Sequence, residues 1–262
     1  MCFEPNKETN TSNSKATKIN ITNVLWNDEK QIKFHIAKEK SQSSVHPPNI
    51  DLIKKFSDEN WVSRQTQNTA DLQTVKLDSV INKNSFNADF LKIDTQGSEY
   101  EILEGSKKTL AGGLFGVLLE TWSYPFHKDQ KLSYDVMKIM DENGYFLADL
   151  NKGGYYRRKT VSNNTLFLGQ IGQLDLLYFE TIEKFTSNQK SNEEIIKAAC
   201  LADLYGMTDY SIEILNYYKN YSVLIEKILN KRKTITRNVS HQWRIEKIKN
   251  LLNFQPRTPP LH

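Results

Sequence analysis

The sequence predicts an α/β protein, a doubly wound and mostly parallel sheet followed by an all-helical C-terminal extension. Three observations carry that reading. The apolar strand Phe90–Ile93 ends on a carboxylate, Asp94, turns through Gly97 and starts a helix at once. The N-terminal run Met1-Cys2-Phe3-Glu4-Pro5-Asn6 repeats the step: the tail of a buried strand, an acid, then Pro and Asn opening a turn. From about Thr186 the strand signals stop and only helical spacings follow. Open α/β sheets bind ligands beyond the carboxyl ends of their strands, so Glu4 and Asp94 are candidate ligand-facing acids.

The elements follow in order. Lys7 to Lys18 is Asn-, Thr- and Ser-rich and predicts at best a frayed helix. Ile21 to Trp26 and Ile32 to Ile36 read as strands joined by a turn at Asn27 to Lys30. Lys38 to Asn60 is a polar loop containing Pro47-Pro48, with one short helix from Asp51 to Phe56. Trp61 to Thr66 and Leu72 to Leu77 read as another strand pair. The strongest block is next: strand Phe90–Ile93, helix Glu99–Leu110 ending at Gly112-Gly113, then strand Gly116–Glu120. Ser98 and Glu101 have the spacing of a helix-capping box. A helix from Leu132 to Glu142 stops at Asn143-Gly144, and Tyr145–Asp149, Thr165–Leu168 and Leu174–Phe179 close the sheet.

The extension opens on a second capping box, Ser191 to Glu194. Ile195, Ala198, Ala199, Ala202 and Tyr205 then recur at helical spacing up to Gly206. Thr208 caps a partner helix through Ile212, Leu215 and Tyr218, and Val223–Leu229 and His241–Leu252 supply two more. This hairpin reads either as a surface for a protein partner or homo-oligomer, or as a local cap on the sheet. The run Lys231-Arg232-Lys233 reads as a solvated face.

Composition bounds the function. A chain of 262 residues holds one ordinary domain plus an appendage. Cys2 and Cys200 stand far apart in apolar contexts, which points to a reducing, cytoplasmic setting without a disulfide framework. No apolar run reaches a membrane-spanning length, and no signal peptide opens the chain. Asn-x-Ser/Thr triplets at Asn10, Asn20, Asn163, Asn220 and Asn238 are chance matches in an Asn-rich chain. A net charge of +4, without segregated basic residues, argues against nucleic acid as the partner.

Taken together, the "FEPN" step at Phe3 to Asn6 and the "KID-x-x-G-x-E" step at Lys92 to Glu99 resemble the FkbM family of S-adenosylmethionine-dependent methyltransferases. Ser43-Ser44 before Pro47-Pro48-Asn49 is similar to that family's "SS…PN" loop, and Val75 to Ser79 to its "LDS" segment. Gly116 to Glu120 is similar to its fifth strand. The resemblance implies a Rossmann-like domain of the class I methyltransferase type over residues 1–182, with residues 186–262 as the helical extension. It implies S-adenosyl-L-methionine as cofactor and O-methylation of a sugar or small-metabolite hydroxyl. Glu4 is then the ribose acid, Asn6 its neighbour in the cofactor site, and Trp26 a flank for the adenine.

A hydroxyl acceptor needs a base near the methyl group. Asp94, nearest the cofactor's methyl end, and Glu120 on the adjacent strand are the candidates, with His127 as a third. Glu99 reads as a first-turn charge stabilised by the helix dipole. One departure stands out. Only three residues precede Glu4, so the family's first strand and glycine motif are expected to be missing, in the middle of the sheet. A non-catalytic scaffold or binding module is therefore the alternative. A metal-using doubly wound enzyme is disfavoured, because no Asp-x-Asp pair occurs.

Overall fold

The computed structural model describes residues 2–3, 20–56, 60–159 and 169–233. The chain divides into two compact units, Met1–Asn188 and Gln189–His262. In the first, the strands are β1 (Cys2–Phe3), β2 (Asn20–Ile21), β3 (Val24–Leu25), β4 (Gln31–Ala37), β5 (Thr66–Val75), β6 (Phe90–Ile93), β7 (Gly116–Trp122), β8 (Tyr145–Tyr156) and β9 (Gln170–Glu180). Its helices are α1 (Ile50–Ile53), α2 (Asn60–Ser63), α3 (Leu77–Lys83), α4 (Glu99–Glu104), α5 (Lys107–Ala111), α6 (Ser133–Glu142) and α7 (Ile182–Thr186).

The sheet is mixed, which corrects the expectation of a mostly parallel one. Strands β1 and β2 pair in parallel; β3, β5 and β4 form a second sheet; β6, β7, β9 and β8 form a third, in that order. The β3–β5 and β6–β7 pairs are parallel, whereas β4–β5, β7–β9 and β8–β9 are antiparallel. Connections explain the difference. Strands β6 and β7 are joined through α4 and α5, the helical crossover that a parallel pair requires. Strand β9 is the antiparallel partner of β8 and inserts between β7 and β8.

Several elements differ from the sequence expectation. The strand expected at Ile21 to Trp26 is two short pieces, β2 and β3. The segment expected as strand Trp61–Thr66 holds α2, and β5 begins only at Thr66. The helix expected over Glu99–Leu110 breaks at Gly105-Ser106, where the Ser106 hydroxyl bonds back to the Ile102 carbonyl at 2.5 Å. Helix α3 has no counterpart in the sequence reading. Lys7–Lys18, Thr165–Leu168 and His241–Leu252 lie outside the described residues.

The apolar periodicities do match the burial. Leu103, Val117, Leu119, Met140 and Leu176 are fully buried in one cluster, with Val136 and Ile139 adding the inward face of α6. The Tyr145 hydroxyl donates to the carbonyls of Leu110 and Leu114 at 3.0 and 2.5 Å, and Lys184 Nζ donates to Leu110 as well. Together they satisfy carbonyls that the end of α5 leaves open.

In the second unit, α8 (Asn192–Leu204) and α9 (Thr208–Tyr217) are followed by helical residues 222–233. Ser191 and Glu194 form the expected capping box: the hydroxyl accepts from Glu194 N, and the carboxylate accepts from Ser191 N at 2.8 Å. Thr208 is the first helical residue and does not cap α9; its hydroxyl donates to Asp203 at 2.8 Å. Arg232 departs from the solvated face expected of it, pairing with the Asp203 carboxylate at 2.9 Å. Cys200 is exposed and free. Among the described residues no helix is long and apolar enough to cross a membrane.

Gly105 joins α4 to the strand edge. A Cβ there would fall 2.2 Å from the Trp26 carbonyl oxygen, a backbone atom with little room to yield. Gly105→Ala should therefore destabilise the protein by about 1–3 kcal/mol, the range for overpacking. Urea denaturation checks this, and an unchanged midpoint would show that Gly105 and Trp26 do not pack this tightly.

Candidate active site

The parallel register of β6 and β7 pairs Ile93 with Leu119, so the next residues, Asp94 and Glu120, stand side by side. The antiparallel register of β7 and β9 pairs Glu120 with Asp175. Three adjacent strands thus present Asp94, Glu120 and Asp175 in a row. Lys92 Nζ lies 3.2 Å from Asp94 Oδ2, and Asn151 donates to Asp175 at 3.2 Å.

This row shifts Glu120. Burial is the main cause, followed by the charges of Asp94, Glu99 and Asp175, and the carboxyl is pushed up to about 7. The hydrogen bond with Asp94 raises the Glu120 carboxyl further.

The turn after β6 is held from inside. Glu99 Oε1 accepts from Thr95 N at 3.1 Å, Thr95 Oγ1 at 3.1 Å and Gly97 N at 3.0 Å. Burial raises this carboxyl, while the hydrogen bonds from Gly97, Glu99 and Thr95 oppose the rise. Glu99 stands in the first turn of α4 as expected, and it is in addition a buried clamp on the turn. Ser98 departs from expectation: its hydroxyl is buried without a partner and does not cap α4.

The clamp leaves Gln96 and Gly97 in left-handed backbone, with φ of +58° and +114°. Gln96 consequently projects its amide into the site. It donates to Glu120 Oε1 at 3.0 Å, and its oxygen accepts from Arg64 Nη1 at 2.8 Å. The Ser44 hydroxyl donates to the Gln96 carbonyl at 2.8 Å, which ties the Ser43-Ser44 loop to this turn.

Residues 2–147 match the family model described as the methyltransferase FkbM domain. The chain belongs to the FkbM methyltransferase family. No curated protein and no solved structure gives a match. The matched span contains Asp94, Glu120 and the loop that brings Ser44 to Gln96.

Of the residues that the sequence singled out in this FkbM domain, the structure brings Asp94 and Glu120 together. Glu4 and Asn6 lie outside the described residues. Trp26 is nearly buried, its ring tilted 5.7 Å from that of His46. His127 is fully buried with its ring 6.0 Å from Trp122. Burial, then the nearby Arg64 charge, lowers it to about 3, so it is a neutral and weakly basic imidazole. That removes most of its promise as the base. Among the described residues no group of three or more His, Cys, Asp or Glu side chains could hold a metal ion.

Gln96 and Arg64 are the site residues that sequence reasoning missed. Gln96 lies inside the quoted motif, but its role depends on a left-handed backbone. Arg64 comes from the end of α2 and meets Gln96 only through tertiary contact.

Glu120 makes stability depend on pH with a definite sign. The folded protein holds this proton up to about pH 7, whereas the unfolded chain releases it near 4.5. The contribution is complete below pH 4.5 and is lost as pH rises toward 7. In Glu120→Gln this loss should disappear, so the variant gains on wild type across that window. Denaturant midpoints measured at several pH values check it, and parallel curves for the two proteins would refute the shift.

Proposed function

We propose that this FkbM protein is an S-adenosylmethionine-dependent methyltransferase acting on a hydroxyl of a sugar or small metabolite, with Asp94 and Glu120 as its acid–base pair. The adjacent carboxylates at the end of β6 and on β7 are the observation that carries this reading, because Glu120, raised toward neutrality, can exchange a proton beside Asp94 as the general base. The donor set also fits the cofactor: a row of acids is complementary to a sulfonium cation. When bound, that cofactor supplies an electrophilic methyl group. Glu4, Asn6 and Trp26 are proposed to hold its nucleoside.

The chain's own residues would do the rest. Asp94 accepts a hydrogen bond from the acceptor hydroxyl and takes up its proton as the oxygen becomes nucleophilic. Glu120 holds or releases a proton beside it. Gln96 fixes the Glu120 carboxylate by donating to Oε1, which leaves its other oxygen for Asp94 or the acceptor. Much of the rate would come from positioning and exclusion of water, as in other in-line displacements. Residues 1–182 are proposed as the catalytic domain, and 186–262 as an appendage for a protein partner or a second copy.

Asp94→Asn should cut turnover by about 10²–10⁴, the usual share of general-base catalysis. Cofactor affinity should change much less, because the amide keeps the shape and one acceptor oxygen. A labelled-methyl assay on a panel of sugars, run beside a cofactor titration, separates the outcomes. Equal losses of binding and turnover would move Asp94 into the cofactor site. Unchanged turnover would exclude it as base, and a wild type that transfers no methyl to any acceptor would favour a non-catalytic binding module.

A further inference from the structure

On the far side of Gln96 from Glu120, the site holds a surplus of buried hydrogen-bond donors. Arg64 is only 6% exposed, yet among the described residues its partners are the neutral Gln96 amide and the Trp122 ring, 4.8 Å from the guanidinium carbon. Its Nε has no acceptor. A buried guanidinium is ordinarily paired with an anion, since an uncompensated charge out of water is costly.

Gln130 adds a second donor whose orientation is settled. Its Oε1 accepts from His127 N at 2.6 Å, so Nε2 is the atom left over, buried and without an acceptor. His127 Nδ1 is likewise buried without a well-aligned hydrogen bond, and the Gln130 side chain lies close enough to favour its proton. The two atoms converge: a Cβ on Gly97 would lie 3.4 Å from His127 Nδ1 and 3.5 Å from Gln130 Nε2. Gly97 adjoins Gln96, whose side-chain oxygen holds Arg64. Trp122, which touches both Arg64 and His127, carries a fourth buried donor without an acceptor at Nε1. Polar groups this deep are normally satisfied, so unpaired donors gathered beside a buried guanidinium call for an acceptor that the described residues do not supply.

We propose that Arg64, His127 and Gln130 form a subsite for an oxyanion, a carboxylate or phosphate, beside the Asp94–Glu120 pair. Its link to catalysis rests on the methyl-transfer reading. There the oxyanion belongs either to the acceptor, making the substrate an acidic or phosphorylated sugar or metabolite, or to the amino-acid end of the methyl donor. A bound anion would pair the Arg64 charge and accept from Gln130 Nε2 and from the Nδ1–H tautomer of neutral His127. Gln96 stands between this charge and Glu120, so the subsite and the carboxylate pair keep opposite electrostatic characters on its two sides.

The test is binding to the full chain, with glucuronate and glucose 6-phosphate set against glucose at matched ionic strength, and S-adenosylhomocysteine set against 5′-methylthioadenosine, which lacks the amino-acid end. Wild type should prefer the carboxylate- or phosphate-bearing member of at least one set. Arg64→Gln should weaken that ligand about 10–100-fold, as loss of a charge-assisted hydrogen bond implies, and leave the neutral member unchanged. Arg64→Lys should restore part of the affinity. Gln130→Leu keeps the buried charge and should weaken the same ligand, which covers the case in which Arg64→Gln fails to fold. Loss confined to the sugars assigns the oxyanion to the acceptor; loss confined to S-adenosylhomocysteine assigns it to the donor. No preference for anions in wild type, or equal anion affinity in wild type and Arg64→Gln, would overturn the subsite. Anion binding that persists in a protein without methyl transfer would leave the subsite standing and remove the proposed activity instead.

Discussion

The site depends on one buried carboxylate. Glu99 is almost wholly removed from water, and it offsets that cost by accepting the amides of Thr95 and Gly97 and the Thr95 hydroxyl. These bonds force the chain to reverse within four residues of β6 and hold Gln96 in a conformation that non-glycine residues seldom adopt. Strain of this kind persists only where the surroundings over-determine it. Here Glu99 acts from below, Ser44 binds the Gln96 carbonyl, and Arg64 and Glu120 hold the Gln96 side chain from either side.

Gln96 thereby divides the electrostatics of the site. Toward β7 and β9 lie Asp94, Glu120 and Asp175, whose mutual repulsion and partial burial keep a proton on Glu120 near neutral pH. Toward α2 and the loop after β7 lie Arg64, a neutral His127 and the Gln130 amide. An amide can serve both sides because it donates from one end and accepts at the other. A carboxylate in its place could not donate to Glu120, and an apolar residue would leave both neighbours unpaired.

The mixed third sheet contributes directly to this arrangement. Because β9 inserts antiparallel between β7 and β8, Asp175 arrives opposite Glu120 and adds a third negative charge to the row. A parallel neighbour would have needed a helical crossover after β8. The antiparallel β8–β9 pairing brings Asn151 across to Asp175, and the strand order leaves Asp94 at the outermost strand of the four.

The parts of this protein that were legible in its sequence are those whose cause is local. Strand Phe90–Ile93, the Ser191–Glu194 cap and the inward faces of α6 and α8 follow from spacing and apolar pattern, which act within a few residues. Asp94 and Glu120 were legible as candidates because each follows a mostly apolar strand run. Their adjacency was not, since register comes from pairing between strands. The Ser98 cap was a local signal overridden by Glu99, whose three bonds were the better use of a buried carboxylate. Arg64, read as part of a strand, belongs to the site because tertiary packing sets its guanidinium on Trp122 and against Gln96, more than thirty residues away. The sequence alone determined which residues could carry chemistry and the fold class that would present them. Register, backbone handedness and burial, which arise only when distant segments pack, decided which of them stand side by side, which are clamps and which are left without a hydrogen-bond partner.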